Sequence, residues 1–154
     1  TEEEFEQTLT TCRRAGFSKI HAFPFSPRRG TPAAEMSNQV PKSLRRERVA
    51  RLAELENHLR RDYFQRLIGR RLELLVESSR PLVNLSCEKS VSGQSVLHRG
   101  TTCRYAPAEL NIDAADDAAT DASGQLTDVL VVDADSEKLI ARSLNDSFVR
   151  SVGE

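Results

Sequence analysis

The segment Ile20–Ala34, IHAFPFSPRRGTPAA, is the stretch from which the fold is read. Ile20, Ala22, Phe23 and Phe25 are apolar or aromatic and bounded by small residues, which predicts a short strand. Pro24 and Pro27 each remove a backbone donor, so this strand cannot run on as the middle of a sheet. A turn carrying Ser26, Arg28, Arg29, Gly30 and Thr31 follows. Strands that run into polar, glycine-containing loops are where parallel sheets place ligand groups. A plain surface turn after an edge strand is the competing reading.

Upstream, Thr1 and Glu4 form a capping box, and Phe5, Leu9 and Cys12 fall on one helical face. Arg13 and Arg14 sit in the last turn and Gly16 is a left-handed cap, so a helix hands over to the strand. Such a helix–strand unit belongs to parallel α/β folds and has no neighbouring strand here. The sequence opens without Met on this helical motif and is read as a piece of a longer protein.

Downstream, Pro41 opens a second helix, with Leu44, Leu52, Leu55, Leu59 and Tyr63 near one face. Between Lys42 and Arg71 there are ten basic residues against four acids, whereas from Tyr105 onward eleven acids face three bases. The net charge of −1 over 154 residues conceals this asymmetry. The arginines either solvate the helix and pair with Glu47, Glu54 and Glu56, or face phosphates.

From Gly69 the period changes. Leu72, Leu74 and Val76 alternate with Arg71, Glu73 and Leu75 as a half-buried strand. Further strands are expected at Ser95–Arg99, Thr101–Tyr105, Thr127–Asp133 and Lys138–Ser143, with turns at Pro81, Gly93, Gly100, Pro107 and Gly124. Short strands with frequent turns predict a small β-barrel. The tract NIDAADDAATDASG is too poor in apolar residues to offset its ordering and reads as a disordered acidic insertion over 112–124.

Cys12, Cys87 and Cys103 form no Cys-x-x-Cys pattern, and an odd count argues against a disulfide framework. Cys87 and Cys103 are expected to be small buried hydrophobes. No apolar run approaches the ~18 residues that span a bilayer. Nor does the start read as a secretory segment, so a cytoplasmic location without membrane partners is expected.

His21, Phe23, Phe25, Ser26, Arg28, Gly30, Thr31 and Ala33 stand on a pattern H-x-F-x-[YF]-S-x-R-x-G-T-x-A. In this the chain resembles the segment that closes the radical S-adenosylmethionine (SAM) domain in the methylthiotransferase family. Thr1, Phe5, Thr8 and Leu9 match the end of that family's G-E-T-x-x-x-F-x-x-T-L segment. The histidine before Phe-x-Phe and the residues Met36, Gln39 and Val40 are most similar to the branch that modifies threonylcarbamoyladenosine in transfer RNA. Gly69-Arg70 with Leu74, Val76 and Glu77, and Arg99-Gly100-Thr101 with Tyr105, resemble the opening and middle of the family's TRAM domain, an OB-like RNA-binding barrel.

The resemblance implies an α+β chain: the C-terminal helix–strand end of a radical SAM α/β barrel over 1–40, a linker helix over 41–66, a TRAM-like barrel over 67–145, and a tail over 146–154. It implies transfer RNA as a partner, together with a missing N-terminal part of the same enzyme. S-adenosylmethionine and 4Fe-4S clusters are implied for that parent, which would add a methylthio group at C2 of the modified adenosine. A cluster needs closely spaced cysteines that this chain lacks, so none is expected to bind it alone. Ser26 and Arg28 are candidate cofactor-binding residues, because a loop arginine can hold a carboxylate or phosphate bidentately. Candidate RNA contacts are Arg45, Arg46, Arg48, Arg70, Arg99 and Tyr105; Tyr105 either stacks a base or fills the barrel core. His21 is either a strand residue satisfied by a neighbour or a group near the active-site mouth. Two alternatives stand beside this reading: a non-catalytic RNA-binding module, and a methylthiotransferase acting on isopentenyladenosine or a ribosomal protein.

Overall fold

A computed structural model describes residues 1–82, 95–112 and 121–144, and the chain divides into two compact units, Thr1–Tyr63 and Phe64–Glu154. The first unit is helical. Helix α1, Glu2–Ala15, starts on the capping box, with the Glu4 N–H donating to Thr1 Oγ1 at 3.2 Å, and ends at Gly16 with φ 66°. Its buried face is Phe5, Leu9 and Cys12, as the spacing predicts. A four-residue helix, α2 (Pro32–Glu35), follows Thr31, whose hydroxyl donates to the Arg28 carbonyl at 2.7 Å. Helix α3 runs Lys42–Gln65.

The strand expected at Ile20–Phe25 is not formed: residues 17–28 have no regular secondary structure. A strand needs a partner for its backbone groups, and the unit offers none, while Pro24 and Pro27 lack the donors a ladder requires. The first unit is thus helix, irregular connection, helix rather than helix–strand. Leu44, Leu52, Leu55, Leu59 and Tyr63 of α3 are only half-buried, and the helix's one fully buried residue is Phe64.

The second unit is a closed five-stranded barrel of OB-like order, β1-β2-β3-β5-β4. Its strands are β1 (Arg71–Leu82), β2 (Ser95–Thr102), β3 (Pro107–Ile112), β4 (Leu126–Ala134) and β5 (Leu139–Ser143). All neighbours are antiparallel except β3 and β5, which are parallel. Closure runs through β1, whose Leu74 pairs with Thr102 on one side and Thr127 on the other. Bulges at Val76/Ser78 in β1 and Val131/Asp133 in β4 bend the strands around the core. That core holds Leu72, Leu74, Val76, Leu110, Val129, Val131 and Leu139.

Gly100 is not a turn, as the sequence suggests, but an interior residue of β2 opposite Val76 and Ala108. A Cβ there would lie 1.8 Å from the Leu75 carbonyl oxygen, so only glycine permits this approach of β2 to β1. The strand expected to reach Tyr105 stops at Thr102. Its end is a tight turn in which the Tyr105 N–H donates to the Thr102 carbonyl at 2.9 Å and Tyr105 has φ 56°. Strand β3 has no counterpart in the sequence reading. Pro107 stands first, where a missing donor costs least, and Ala108 and Leu110 are the only fully buried residues.

The acidic insertion expected over 112–124 is described only at its margins. Ile112 closes β3, and Gly124 donates to the Val76 carbonyl at 2.7 Å; residues 113–120, Cys87 and the tail from 145 lie outside the described residues.

Among the described residues two polar side chains of β2 are buried, Thr102, whose hydroxyl donates to the Ala106 carbonyl at 3.0 Å, and His98. His98 is 1% exposed, with Ser79 Oγ 2.7 Å from its Nδ1 and its Nε2 buried without a partner among the described residues. Ser79 Oγ also accepts the Ala122 N–H at 3.2 Å, tying the turn before β4 to β1. Burial pushes the His98 imidazole below its ordinary pKa, and the Asp121 carboxylate opposes that less strongly.

Two outcomes follow. Replacing Gly100 with Ala should cost the barrel about 3 kcal/mol, the upper end of overpacking penalties. Urea unfolding would test it, and a change within about 0.5 kcal/mol, the scale of surface substitutions, contradicts the close approach. Because the folded His98 pKa is depressed, its contribution is fully present above the unfolded-state value of about 6.5 and is lost as pH falls through that value towards the folded one. An NMR titration of the His98 ring should therefore give a midpoint below about 6.5; a midpoint above it would be inconsistent with a buried neutral ring.

Candidate nucleic-acid interface

The arginines of α3 do not form one surface. Arg48 donates to the Thr1 carbonyl at 2.9 Å and to Glu2 at 3.0 Å, while Arg51 bonds Glu2 at 2.6 Å and also Glu6. Their guanidinium carbons lie 5.0 and 4.8 Å from the centre of the Phe5 ring. Arg45 donates to the Phe25 carbonyl. The Nε atoms of Arg45 and Arg48 are buried without partners among the described residues. These side chains hold α1 and the irregular connection to α3, so Arg45 and Arg48 are internal and Arg46 alone of the three is exposed. The ion pairs are with Glu2 and Glu6 of α1; of the acids on α3 itself, Glu56 pairs with Arg60 at 3.3 Å. Arg51, and then Arg48, hold the Glu2 carboxyl below its ordinary pKa.

A cavity of about 560 Å³ in this unit lies between Phe23, Phe25, Met36 and the α3 residues Arg45, Val49 and Leu52. Gln39 closes its loop by donating to the Ala33 and Met36 carbonyls at 2.9 and 3.1 Å. Ser26 and Arg28 are exposed and do not line it, so the structure does not gather the two candidate cofactor residues with a cavity. His21 is likewise exposed. Among the described residues no three His, Cys, Asp or Glu side chains assemble for a metal. Cys12 is buried on α1, and Cys103 is exposed on the β2–β3 turn rather than buried as expected, because the strand ends one residue earlier. The described cysteines, Cys12 and Cys103, do not fit an iron–sulfur cluster.

On the barrel, Arg99 and Glu109 face each other across β2 and β3, with Arg99 Nε 2.7 Å from Glu109 Oε1. Lys138, in the turn between β4 and β5, donates to the other oxygen at 2.7 Å. Lys138, and then Arg99, lower the Glu109 pKa. Thr101 donates to Glu77 at 2.7 Å. These residues line a groove of about 420 Å³ on the face by which OB barrels commonly take oligonucleotides. Sequence reading found Arg99 but missed Glu109 and Lys138, which only the β3 register brings to it. Arg70 is exposed at the head of β1, its Nε donating to the Arg66 carbonyl at 3.3 Å. Tyr105 is 91% exposed, which removes the core alternative and leaves a ring available for stacking.

The sequence relatives are enzymes that modify transfer RNA. More particularly, they are tRNA-2-methylthio-N(6)-dimethylallyladenosine synthases. One from Mycobacterium marinum is 36% identical over 141 residues, 92% of this chain and 25% of the relative. Others from Corynebacterium glutamicum and Streptomyces coelicolor are 38% identical over 107 residues and 49% identical over 76, covering 70% and 49% of this chain. The chain spans about a quarter or less of these relatives, at 25%, 20% and 15% of their lengths. No protein-family model matches the chain. The relatives' names correct the threonylcarbamoyladenosine branch inferred from His21 and the Met36–Val40 connector: the likeness is to the dimethylallyladenosine enzymes. Those few connector positions are exposed or half-buried loop residues, which carry little branch information.

If Arg48 and Arg51 hold α1, replacing both with Ala should raise the exchange rates of the Phe5 and Leu9 amides, while Arg46→Ala should leave them unchanged. Hydrogen exchange read by NMR distinguishes the cases, and equal protection in all three proteins would contradict the assignment.

Proposed function

We propose that this chain is part of a transfer RNA methylthiotransferase that adds a methylthio group at C2 of N6-dimethylallyladenosine, the isopentenyladenosine beside the anticodon. The supporting observation is the 36% identity that extends over 92% of the chain to a synthase named for that product. On this reading S-adenosylmethionine and the iron–sulfur clusters are held by the larger part of the enzyme, beyond the residues of this chain. The second unit serves as a TRAM-like RNA-holding barrel, supported by its OB-like strand order. Arg46, Arg70 and Tyr105 remain as RNA contacts on the candidate list, since each is exposed. Arg99 could take part only by sharing or leaving Glu109. Ser26 and Arg28 keep the role of carboxylate or phosphate contacts in the assembled enzyme.

The test is to express the complete reading frame that carries this chain, reconstitute it anaerobically, and analyse nucleosides from treated transfer RNA by mass spectrometry. The expected product is 2-methylthio-N6-dimethylallyladenosine. A methylthio product only on threonylcarbamoyladenosine would overturn the substrate, and no methylthiolated adenosine at all would overturn the enzyme class.

A further inference from the structure

The groove on β2 and β3 is poorly suited to phosphate. Its two bases, Arg99 and Lys138, both bond Glu109, and Glu77 and Glu137 also line it. An entering phosphate would have to displace a carboxylate and meet two more. The opposite side of the barrel differs. Arg71 of β1 pairs in register with Leu130 of β4, and Leu130 with Arg142 of β5, so the three residues form one row across three strands. Their chain neighbours Leu72, Val129, Val131 and Ala141 are buried, so the row faces outward. Two strand spacings put the arginines roughly 9–10 Å apart at the backbone. Both are exposed, and among the described residues neither makes an ion pair or hydrogen bond through its side chain.

The row has a defined border. One outward step along the strands, Glu73 lies opposite Asp128, an acidic pair that bounds the basic row on that side. In the other direction the ladder continues, with Val131 N–H donating to the Arg70 carbonyl at 3.0 Å and Gly69 N–H to the Val131 carbonyl at 2.8 Å. Beside this extension Val132, at the bulge, and Ile68 are 44% and 37% exposed. Unpaired guanidinium forks next to exposed apolar side chains suit a nucleic-acid backbone, taking phosphate oxygens on the forks and sugar or base on the apolar atoms.

The geometry points to the β1–β4–β5 face, through Arg71 and Arg142, as the barrel's phosphate-binding surface, in place of the β2–β3 groove. This rests on the reading that the chain holds transfer RNA. It departs from the groove expected of the fold because the groove's cations are already neutralised.

The experiment titrates fluorescently labelled transfer RNA at several salt concentrations into the parent chain and three variants: Arg71→Gln/Arg142→Gln, Arg71→Lys/Arg142→Lys, and Arg99→Gln/Lys138→Gln. Urea unfolding of each checks that the barrel is intact. The glutamine pair on the face should lower the magnitude of the log–log salt slope by up to about 1.8 for duplex contacts, or about 1.4 for single-stranded ones. The lysine pair should keep most of the slope, and the groove pair should leave it at the parent's value. A slope lost in the groove variant but kept in the glutamine face variant would overturn this surface while leaving transfer RNA binding in place. Equal losses in the glutamine face and groove variants would overturn it as well, since they would mark a general charge effect. Salt-insensitive or absent binding by the parent would overturn both this proposal and the RNA-holding role.

Discussion

The barrel depends on β1 being paired along both edges at once. Leu74 and Leu75 each have a partner on β2 and another on β4, and the β2–β3, β3–β5 and β5–β4 ladders complete the circuit, so no strand of the sheet is left as an open edge. That closure brings β2 so near to β1 that position 100 must be glycine. It also fixes the alternation of every strand, because a closed sheet has one inside and one outside. Leu72, Leu74, Val76, Val129 and Val131 then fill the interior, and Arg71, Arg99, Leu130 and Arg142 must face out.

The same constraint sorts the arginines by what meets them. Parallel pairing of β3 with β5 places Lys138 near Glu109, which already faces Arg99 across β2, so that cluster neutralises itself. Between β1 and β5, however, β4 offers only Leu130 at the level of Arg71 and Arg142, and among the described residues neither charge is paired with a carboxylate. In the helical unit the sorting is different again. Arg48 and Arg51 both lie against the Phe5 ring and bond Glu2, and Arg51 also Glu6, of α1, so they serve packing rather than an outside partner. Counting basic residues along a helix therefore overstates what is open to RNA.

Local signals in the sequence are legible where they are self-sufficient. The capping box at Thr1, the Phe5–Leu9–Cys12 face, the Gly16 cap and the alternation of β1 all require only neighbours in the chain, and all are present. Elements that need a distant partner are less legible. Ile20–Phe25 has strand composition but no strand beside it, so it stays irregular. Gly100 looks like a turn because its reason, the Leu75 carbonyl, is 25 positions away in sequence. Strand β3 was missed because Pro107 reads as a breaker and the hydrophobic signal is only Ala108, Leu110 and Ile112. Without β3 neither the Arg99–Glu109 pairing nor the role of Lys138 could be seen. Family likeness was legible in the motif around Phe23 and Arg28, whereas the substrate branch was not, since the Met36–Val40 connector is too short and too exposed to carry it.

Arginine side-chain Nε–H resonances directly report this division of the arginines into committed and open ones. Exchange of these protons with water, measured on the free chain, should be slow for Arg99, whose Nε bonds Glu109 at 2.7 Å, and unprotected for Arg71 and Arg142. Protection of Arg71 or Arg142 equal to that of Arg99 would show that the β1–β4–β5 face is already occupied by the protein's own groups, contrary to the account.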